Sequence, residues 1–312
     1  MGGGQSGRAL AAAEYERGER RVRDAMMSGW SNGLTEWIEG DIAYISVVFS
    51  WRLPDAYQLA IWYKAQGYRV RAGGPALFAN KKYLAEVAEV GGEVDALTHH
   101  NRQATIASRG CPVGCYFCIV PRMEGLNFTL IWDFVPRAIL CDNNLSALPI
   151  EFQEHIIKRY RETDTPLLDA NSGFEPYTFD EGTYLRWKEI NRGPWRFALD
   201  EMREVEDVRR MMEILKDEPA NKKRVYVLIG NEPMAACYER IQKVIEWGGE
   251  PHCQPLMALN TLIKRPQVRH DWTEERLMDM ARWANRWLWR SIPIHDYYPR
   301  KEQPRPFAGV TL

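Results

Sequence analysis

The sequence predicts an α/β fold, and two observations support this prediction. Short apolar segments rich in β-branched and aromatic residues alternate along most of the chain with longer segments of helical periodicity. Such alternation is typical of a mostly parallel sheet whose strands are joined by helices. Polar residues also follow directly after several predicted strands, and active sites of parallel α/β proteins lie at this end of the sheet.

The composition is that of a soluble globular protein. Of the 312 residues, 45% are hydrophobic and 27% are charged, which suits one large domain or two smaller ones. The net charge of −1 gives no general attraction to nucleic acid or to an anionic membrane. No apolar run approaches the length that spans a bilayer, and the N-terminus lacks the apolar core of a secretion signal. We therefore expect a cytoplasmic protein that does not associate with membranes.

The first hundred residues divide into an N-terminal extension, residues 1–40, and a small α/β unit, residues 41–100. A charged, Ala-rich segment at 9–27 predicts a helix in the extension. In the unit, Pro54 opens the first helix and Gly67 ends it. The predicted order in the unit is strand 42–49, helix 54–66, strand 68–71 and helix 81–90.

Residues 101–262 form a longer alternation of strands and helices, followed by a tail, residues 263–312. In the tail, a helix capped by Thr273 and rich in Trp and Arg is predicted to continue to Arg290 and to form a C-terminal cap. The helices predicted before the tail lie at about 150–161, 205–216 and 235–247. The six predicted strands are 103–108, 136–140, 166–170, 195–199, 224–229 and 252–256.

Three of the six cysteines lie in one short segment, Arg109 to Cys118, with the spacing C-x3-C-x2-C. Gly110, Pro112 and Gly114 interrupt regular backbone there, which favours a compact loop in which three thiolates converge. Thiolates are soft ligands that select zinc or iron–sulfur clusters. Both kinds of site usually have four protein ligands, and this loop supplies three. We therefore expect a metal centre with one open coordination position.

This loop resembles the signature of the radical S-adenosylmethionine (radical SAM) superfamily, C-x3-C-x-Φ-C, in which the aromatic Φ corresponds to Phe117. The resemblance implies that Cys111, Cys115 and Cys118 hold a [4Fe-4S] cluster whose fourth iron binds S-adenosylmethionine. It implies that one electron cleaves S-adenosylmethionine to methionine and a 5′-deoxyadenosyl radical, which abstracts hydrogen from a substrate. It also implies a reductant such as flavodoxin or ferredoxin.

The resemblance extends to the fold. It implies that residues 101–262 form a partial (β/α)6 TIM-type barrel, the radical SAM core. The unit at 41–100 is similar to a reduced form of the Rossmann-like, cobalamin-binding-like domain that precedes this core in cobalamin-dependent radical SAM enzymes and methylthiotransferases, and Gly73-Gly74-Pro75 fits that comparison. The cobalt-ligating D-x-H-x-x-G motif does not occur in this half, so we do not expect bound cobalamin. Residues 1–100 contain no cysteine, which disfavours methylthiolation, because those enzymes usually carry three more cysteines there.

Several residues correspond by position to the family's cofactor-binding residues. Phe117 would shield the cluster and pack near the adenine. Asp142 and Asn143, after the second strand, occupy the place of a Gly-Gly-Glu motif that binds the methionine ammonium group, for which carbonyl or carboxylate oxygens are suitable acceptors. An ordinary Asx turn at these two residues is the alternative.

Further candidates follow the next strands. Asp200 follows the fourth strand, where the family often places a polar residue on the ribose hydroxyls; the alternative is that Asp200 or Glu201 pairs with a neighbouring arginine. Asn171 and Ser172 follow the third strand and are candidates of the same kind. Gly230, after the fifth strand, would let the backbone approach the adenine closely, with a helix-opening turn as the alternative.

Two other functions stay open. The tail helix carries tryptophans and arginines at helical spacing, which is typical of single-stranded nucleic-acid binding and would suggest nucleic-acid or nucleotide modification; the alternative is a helix that packs its tryptophans into the core. A non-enzymatic zinc-binding or nucleic-acid-binding protein is a hypothesis from another class, and it leaves the polar strand ends unexplained. The residues of the helical stripe are Arg282, Trp283, Arg286, Trp287 and Arg290.

The remaining cysteines and a histidine pair are predicted to be structural. Cys141, Cys237 and Cys253 lack the paired spacing of a second cluster, and free cysteines are usually buried. His99 and His100 are predicted as loop residues, because adjacent side chains on an extended segment point to opposite faces. The sequence does not indicate which substrate the protein acts on.

Overall fold

The computed structural model describes residues 29–92, 94–297 and 307, and the chain divides into two compact units, Met1–Ala104 and Thr105–Leu312. The helix predicted over residues 9–27 lies outside the described residues. An apolar core lies in each unit. In the described part of the chain, no helix is both long enough and apolar enough to cross a membrane.

From residue 29 onward, the first unit combines a small sheet with short helices. Its elements are β1 Leu34–Glu39, β2 Ile42–Val47, α1 Leu53–Ala65, β3 Arg69–Gly73, α2 Pro75–Ala79, β4 Glu89–Val90 and α3 Leu97–His100. The strand order is β1-β2-β3-β4, with β1 antiparallel to β2 and the other pairs parallel. Helix α1 connects the parallel strands β2 and β3, and Pro54 lies in its first turn, where the missing backbone N–H has no helical partner to lose.

The helix predicted over residues 81–90 is wrong, whereas the two strands and the first helix predicted in this unit are confirmed. The short helix α2 forms earlier, and residues 89–90 pair with β3 as the strand β4. Arg71 of β3 holds Glu89 through two hydrogen bonds, Nη2 to Oε1 at 3.0 Å and Nε to Oε2 at 3.2 Å. Sheet pairing therefore overrides the helical pattern of this segment, as tertiary context often does.

The Gly-Gly-Pro turn after β3 has a packing role. Gly74 has a φ of +102°, and a Cβ atom there would lie 2.5 Å from the carbonyl oxygen of Val47 in β2. Pro75 then opens α2. Close approach of two backbones explains the glycine, so the turn gives no argument for a bound ligand.

The adjacent histidines lie in helix α3, so the prediction that they are loop residues is wrong. His99 stacks on Trp37, with ring centroids 4.0 Å apart. His100 is buried, and its ring nitrogens meet the hydroxyls of Ser31 and Ser46, the latter at 2.9 Å. Burial lowers the pKa of His100, because the charged ring would lose hydration. His100 is thus a neutral bridge within the first unit.

The strands beyond the first unit are short and mostly parallel. They are β5 Ala104–Thr105, β6 Ser108–Arg109, β7 Thr129–Leu130, β8 Ile139–Leu140, β9 Asp169–Ala170, β10 Trp195–Ala198, β11 Lys223–Ile229 and β12 Glu250–Pro255. Two three-stranded sheets have the orders β5-β8-β9 and β10-β11-β12, and β6 pairs antiparallel with β7. The pairs β8-β9, β10-β11 and β11-β12 are parallel.

Five of the six strands predicted in this part are confirmed, although β8 and β9 are each two residues long. The lead-in to the cysteine loop, predicted as one strand over 103–108, is instead divided between β5 and β6, which belong to different sheets. The strands therefore establish a mixed α/β fold with several small sheets. Their closure into one partial barrel stays a prediction.

Helices connect these strands. They are α4 Val120–Met123, α5 Ile150–Glu162, α6 Glu181–Lys188, α7 Val205–Ile214, α8 Met234–Glu246 and α9 Glu274–Asn285, and one-turn 3₁₀ helices lie at Pro176–Thr178, Met202–Glu204, Ala220–Lys222, Leu288–Arg290 and Ile294–Asp296. The predicted helices at α5, α7 and α8 are confirmed. Helix α6 has no predicted counterpart; its signal is Asp180, whose side chain accepts a hydrogen bond from the Thr183 backbone N–H at 2.7 Å as an N-cap.

The C-terminal helix α9 ends at Asn285 and is shorter than predicted, although the cap at Thr273 is confirmed. Trp287 has a left-handed backbone with a φ of +55°, so the tryptophans and arginines of the tail do not form one helical stripe. Trp283 is 2% exposed and donates its indole N–H to the carbonyl oxygen of Ile292 at 2.7 Å. The predicted stripe therefore does not form on one helix, and Trp283 is a core residue, as in the alternative of a helix that packs its tryptophans inward. Nucleic-acid binding stays a prediction.

Replacing Trp283 by alanine is expected to destabilise the second unit by about 3–5 kcal/mol, because the change removes a buried indole and leaves a cavity. Urea unfolding followed by tryptophan fluorescence and circular dichroism measures this. Tyr177→Ala is the control: Tyr177 is 72% exposed, and we expect a change within about 0.5 kcal/mol. Similar small effects of both substitutions would contradict a core position for Trp283.

Candidate functional site

The cysteine loop turns back on itself at two glycines. Gly110 and Gly114 have φ values of +89° and +72°, a conformation that glycine adopts without strain. A Cβ atom on Gly110 would lie 2.2 Å from the carbonyl oxygen of Asn127. The backbone N–H of Cys111 donates to the carbonyl of Gly125 at 3.2 Å. These contacts close the loop against the segment that leads into β7.

Replacing Gly110 by alanine is expected to displace the loop, because the new methyl group would overlap the backbone at Asn127. Gly125→Ala is a matched control: its φ is +91°, yet a Cβ atom there meets nothing within 4 Å. We expect Gly110→Ala to lose most of its iron after anaerobic reconstitution while its circular dichroism stays that of the wild type. Gly125→Ala should retain more. Equal iron retention in the two variants would contradict this role of Gly110.

A carboxylate that sequence reasoning missed holds the loop. Glu124 accepts hydrogen bonds from the backbone N–H of Gly110 at 2.9 Å, from Nη1 of Arg109 at 3.0 Å and from Nδ2 of Asn143 at 2.7 Å. Asn143 also donates to the carbonyl oxygen of Gly110 at 3.2 Å. The amide of Asn143 therefore braces the cysteine loop. Glu124 lies six residues beyond the last cysteine of the loop, where no sequence signal distinguishes it from a surface glutamate.

The three thiols of the loop lie close enough to influence one another. Burial, together with the charges of Asp200, Cys118 and Cys111, raises the pKa of Cys115 to about 12. Burial also raises the pKa of Cys118, with a further contribution from Cys111. The thiols of Cys115 and Cys118 are therefore protonated at neutral pH, and a metal that binds them must displace these protons.

The surroundings of the thiols suit an iron–sulfur cluster. The backbone N–H of Val120 donates to Sγ of Cys118 at 3.4 Å, and Nδ2 of Asn144 approaches Sγ of Cys111 at 3.9 Å. Hydrogen bonds to cluster-bound sulfur are one means by which proteins adjust its reduction potential. Among the described residues, no group of three or more His, Cys, Asp or Glu side chains is arranged to hold a single metal ion. A [4Fe-4S] cluster takes cysteine thiolates as ligands, and the three thiols of this loop supply such donors.

Asp200 lies beside the thiols at the carboxyl end of β10. Burial and the charge of Glu204, opposed by Arg240, together raise its pKa to about 7. The backbone N–H of Asp200 donates to Oε2 of Glu204 at 2.7 Å. The arginine pair considered as an alternative forms at Glu201, with Arg203 at 2.5 Å. Asp200 itself is thus a carboxylate held near the cysteine loop in an environment that disfavours its charge.

Gly230 and Asn231 follow β11, at the carboxyl end of that strand. Gly230 has a φ of +90°, and a Cβ atom there would lie 3.0 Å from the Leu277 side chain. Asn231, which sequence reasoning missed, donates through Nδ2 to the carbonyl oxygen of Asp200 at 2.5 Å and lies near the side chain of Tyr116 in the cysteine loop. The loop therefore extends across the carboxyl ends of β10 and β11. A polar residue directly after a strand-ending glycine was the available signal for Asn231.

Asp142 lies in the protein interior and binds the segment that precedes the cysteine loop. It is fully buried, and its two carboxylate oxygens accept hydrogen bonds from the backbone N–H of Ala107 at 2.7 Å and from the hydroxyl of Ser108. Burial raises its pKa to about 6. Both oxygens thus accept from residues just before the cysteine loop, which gives Asp142 a structural role. Its predicted contact with the methionine ammonium group stays a prediction.

Three further residues were predicted to contact the cofactor: Asn171, Ser172 and Phe117. Asn171 approaches Sγ of Cys141 with its Nδ2 at 4.0 Å, and Ser172 is exposed. Phe117 packs edge-to-face on Tyr116, with ring centroids 5.1 Å apart. The roles of these residues toward a cofactor stay predictions. All six cysteines are free thiols, and the predicted burial of Cys237 and Cys253 is confirmed.

No protein-family model matches the chain, and no curated protein matches it in sequence. One solved structure to which its fold is similar is the radical S-adenosylmethionine methyltransferase TsrM from Kitasatospora setae, with cobalamin and a [4Fe-4S] cluster bound. The resemblance predicted from the cysteine loop is therefore confirmed at the level of the fold. The TM-score is 0.53 at 11% sequence identity. The match covers 69% of this chain and 64% of TsrM, so the chain spans less than two thirds of that neighbour's length.

Proposed function

We propose that the protein is a radical SAM enzyme in which Cys111, Cys115 and Cys118 hold a [4Fe-4S] cluster that binds S-adenosylmethionine. When bound, this cluster supplies the electron that cleaves S-adenosylmethionine to methionine and a 5′-deoxyadenosyl radical, which abstracts hydrogen from the substrate. The observation that carries the proposal is the position of the three-cysteine loop. It lies at the carboxyl ends of β10 and β11, close to Asp200 and Asn231, and parallel α/β folds bind their ligands at this end.

The chain's own residues prepare the loop for metal. Glu124 and Asn143 fix its backbone before any ligand binds, which reduces the ordering cost of binding. The raised pKa of the Cys115 thiol opposes loading, because three thiols must lose protons to become ligands. We therefore expect cluster assembly to be favoured as the pH rises.

Other residues orient S-adenosylmethionine. The carboxylate of Asp200 is suited to accept hydrogen bonds from ribose hydroxyls, and Gly230 allows close approach of backbone to a flat ring. Arg240 is fully buried and donates to the carbonyl oxygen of Leu199 at 2.6 Å and to Oδ1 of Asn231 at 3.1 Å. It thereby fixes the two loops that carry Asp200 and Gly230.

The test is anaerobic purification of the full chain with iron and sulfide quantified, followed by incubation with S-adenosylmethionine and dithionite. We expect about four irons per chain and formation of 5′-deoxyadenosine, with flavodoxin or ferredoxin replacing dithionite as the protein reductant. Bound zinc without cleavage would refute the proposal and favour a non-enzymatic zinc protein.

A second candidate function is methyl transfer with cobalamin, favoured by the likeness to a radical SAM methyltransferase solved with that cofactor. The same assay distinguishes it. Formation of S-adenosylhomocysteine that requires added cobalamin, without 5′-deoxyadenosine, would support methyl transfer over hydrogen abstraction. The missing D-x-H-x-x-G motif shows that any cobalamin here would lack the histidine ligand of that motif.

A further inference from the structure

One face of the sheet β10-β11-β12 is polar. Neighbouring residues in this parallel sheet pair as Arg196 with Arg224, Arg224 with Glu250, and Tyr226 with His252. Because side chains alternate along a strand, these five residues share one face. The opposite face carries the buried apolar side chains of the same strands, Phe197, Val225, Val227 and Cys253. Branched apolar side chains normally fill the inner face of a complete parallel barrel, so this polar face calls for an explanation.

Arg196, on this polar face, is hydrogen-bonded to neighbouring side chains. Arg196 binds Asp169 of β9 in a bidentate manner, Nε to Oδ1 at 2.6 Å and Nη2 to Oδ2 at 2.8 Å, and its Nη1 donates to the hydroxyl of Tyr226. Both charged side chains of this pair are about 10% exposed. The hydroxyl of Tyr226 accepts from Arg196, so its own O–H can donate to another group.

Arg224 is paired much less completely. In the described part of the chain, its guanidinium makes one hydrogen bond, Nη2 to Oε2 of Glu250 at 3.5 Å, at the outer limit of such a bond. The other carboxylate oxygen of Glu250 is held at 2.7 Å by Arg290. Arg224 therefore keeps several N–H donors for another partner, although its side chain is 14% exposed.

His252 lies on this face beside Tyr226. Its ring lies 5.1 Å from that of Tyr226, between centroids. Burial, together with the charges of Arg224 and Arg196, lowers the pKa of His252 to about 4. The ring is thus neutral at pH 7 and offers an N–H donor beside these arginines.

We propose that this face binds an anionic group of the substrate, a carboxylate or a phosphate, through Arg224, Tyr226 and His252. The guanidinium supplies a fork of N–H donors that matches either anion, and the hydroxyl and the ring add one donor each. Strand alternation through Leu199 places Asp200 at the carboxyl end of the same face. Tyr226 pairs with Ala198, so it lies about 7 Å along the strand from Asp200. The inference rests on the proposed function, since it assigns the substrate class of that site.

The test follows the ring signals of His252 by NMR in the full chain at pH 7, assigned with a His252→Gln variant. Sulfate serves as the tetrahedral probe for phosphate and trifluoroacetate as the planar probe for carboxylate, each exchanged against chloride at constant ionic strength. We expect a saturable shift for one probe, with a midpoint of about 1 mM. Arg224→Gln should weaken this binding tenfold or more. Arg209→Gln, which removes an exposed arginine of α7, should leave it unchanged.

The anion-binding test does not depend on whether the cysteine loop holds a cluster. Cys115→Ala should bind the same anion as the wild type, because the polar face does not include the cysteine loop. Absence of a saturable shift with both probes, or an equal response in Arg224→Gln, would overturn the inference. Anion binding without formation of 5′-deoxyadenosine would support the inference about the polar face. It would refute only the proposed radical SAM chemistry.

Discussion

Replacing Cys115 by alanine is expected to abolish both cluster binding and cleavage of S-adenosylmethionine. Cys115 is the middle thiol of the loop, and the other two loop thiols and Asp200 all influence its pKa. Its loss leaves two thiolates for a cluster that needs three from this loop. Iron should fall from about four atoms per chain to near zero, and 5′-deoxyadenosine should fall below detection.

Cys237→Ala is the matched control for this prediction. Cys237 is fully buried in the core of the second unit, and removing one sulfur there should cost stability and leave iron binding intact. Circular dichroism of both variants shows whether the fold persists. Full iron occupancy in Cys115→Ala, or an equal loss in Cys237→Ala, would show that the loop does not hold the cluster.

Replacing Asp200 by asparagine is expected to weaken S-adenosylmethionine binding about ten- to a hundredfold, because a charge-assisted hydrogen bond contributes about 1.5–3 kcal/mol. The pKa of Asp200 is raised to about 7, so the carboxylate forms as the pH rises through 7. Binding by the wild type should therefore strengthen between pH 6 and 8, and binding by Asp200→Asn should stay nearly constant. Equilibrium binding of S-adenosylmethionine to the reconstituted proteins measures both.

The same substitution should stabilise the protein at pH 8. The pKa of Asp200 is higher in the folded than in the unfolded chain, where it is about 3.9. The folded state thus binds the proton more tightly, and stability decreases as the pH rises from about 4 through about 7. Asp200→Asn removes this penalty, which we expect to add on the order of 2 kcal/mol at pH 8 and little at pH 4.

Asp207→Asn is the control for both effects, since Asp207 lies on α7 and pairs with Arg210 at the surface. It should change neither the binding of S-adenosylmethionine nor its pH dependence. Wild-type affinity in Asp200→Asn would refute a contact between Asp200 and the cofactor. Loss of stability at pH 8 would refute the burial of an unfavourable charge there.

Local patterns predicted much of what positions the site. The strand at β11, the helix at α8 and the cysteine loop lie where the sequence places them. Each depends on neighbours along the chain: alternation of apolar side chains, proline at a helix start, and glycines where φ must be positive. The family resemblance, carried by cysteine spacing and one aromatic residue, agrees with the fold of a radical SAM methyltransferase.

The sequence could not decide the surroundings of residues whose partners are distant along the chain. Asp142 follows a strand as expected, and its carboxylate accepts from Ala107 and Ser108. Residues 89–90 were predicted to be helical and pair with β3 instead. Trp283 has a spacing that fits either an exposed stripe or a core position, and it lies in the core. In each case burial or sheet pairing outweighs a local preference worth less than about 1 kcal/mol per residue.

The positions of most strands and helices of the second unit and the grouping of three cysteines in one loop follow from the sequence, because periodicity and ligand spacing are properties of adjacent residues. Only the tertiary structure brings Glu124 to the backbone of the cysteine loop and Tyr116 close to Asn231. It also forms the polar face that carries Arg224 and His252. These features join residues from separate strands and loops, and strand register decides which side chains meet.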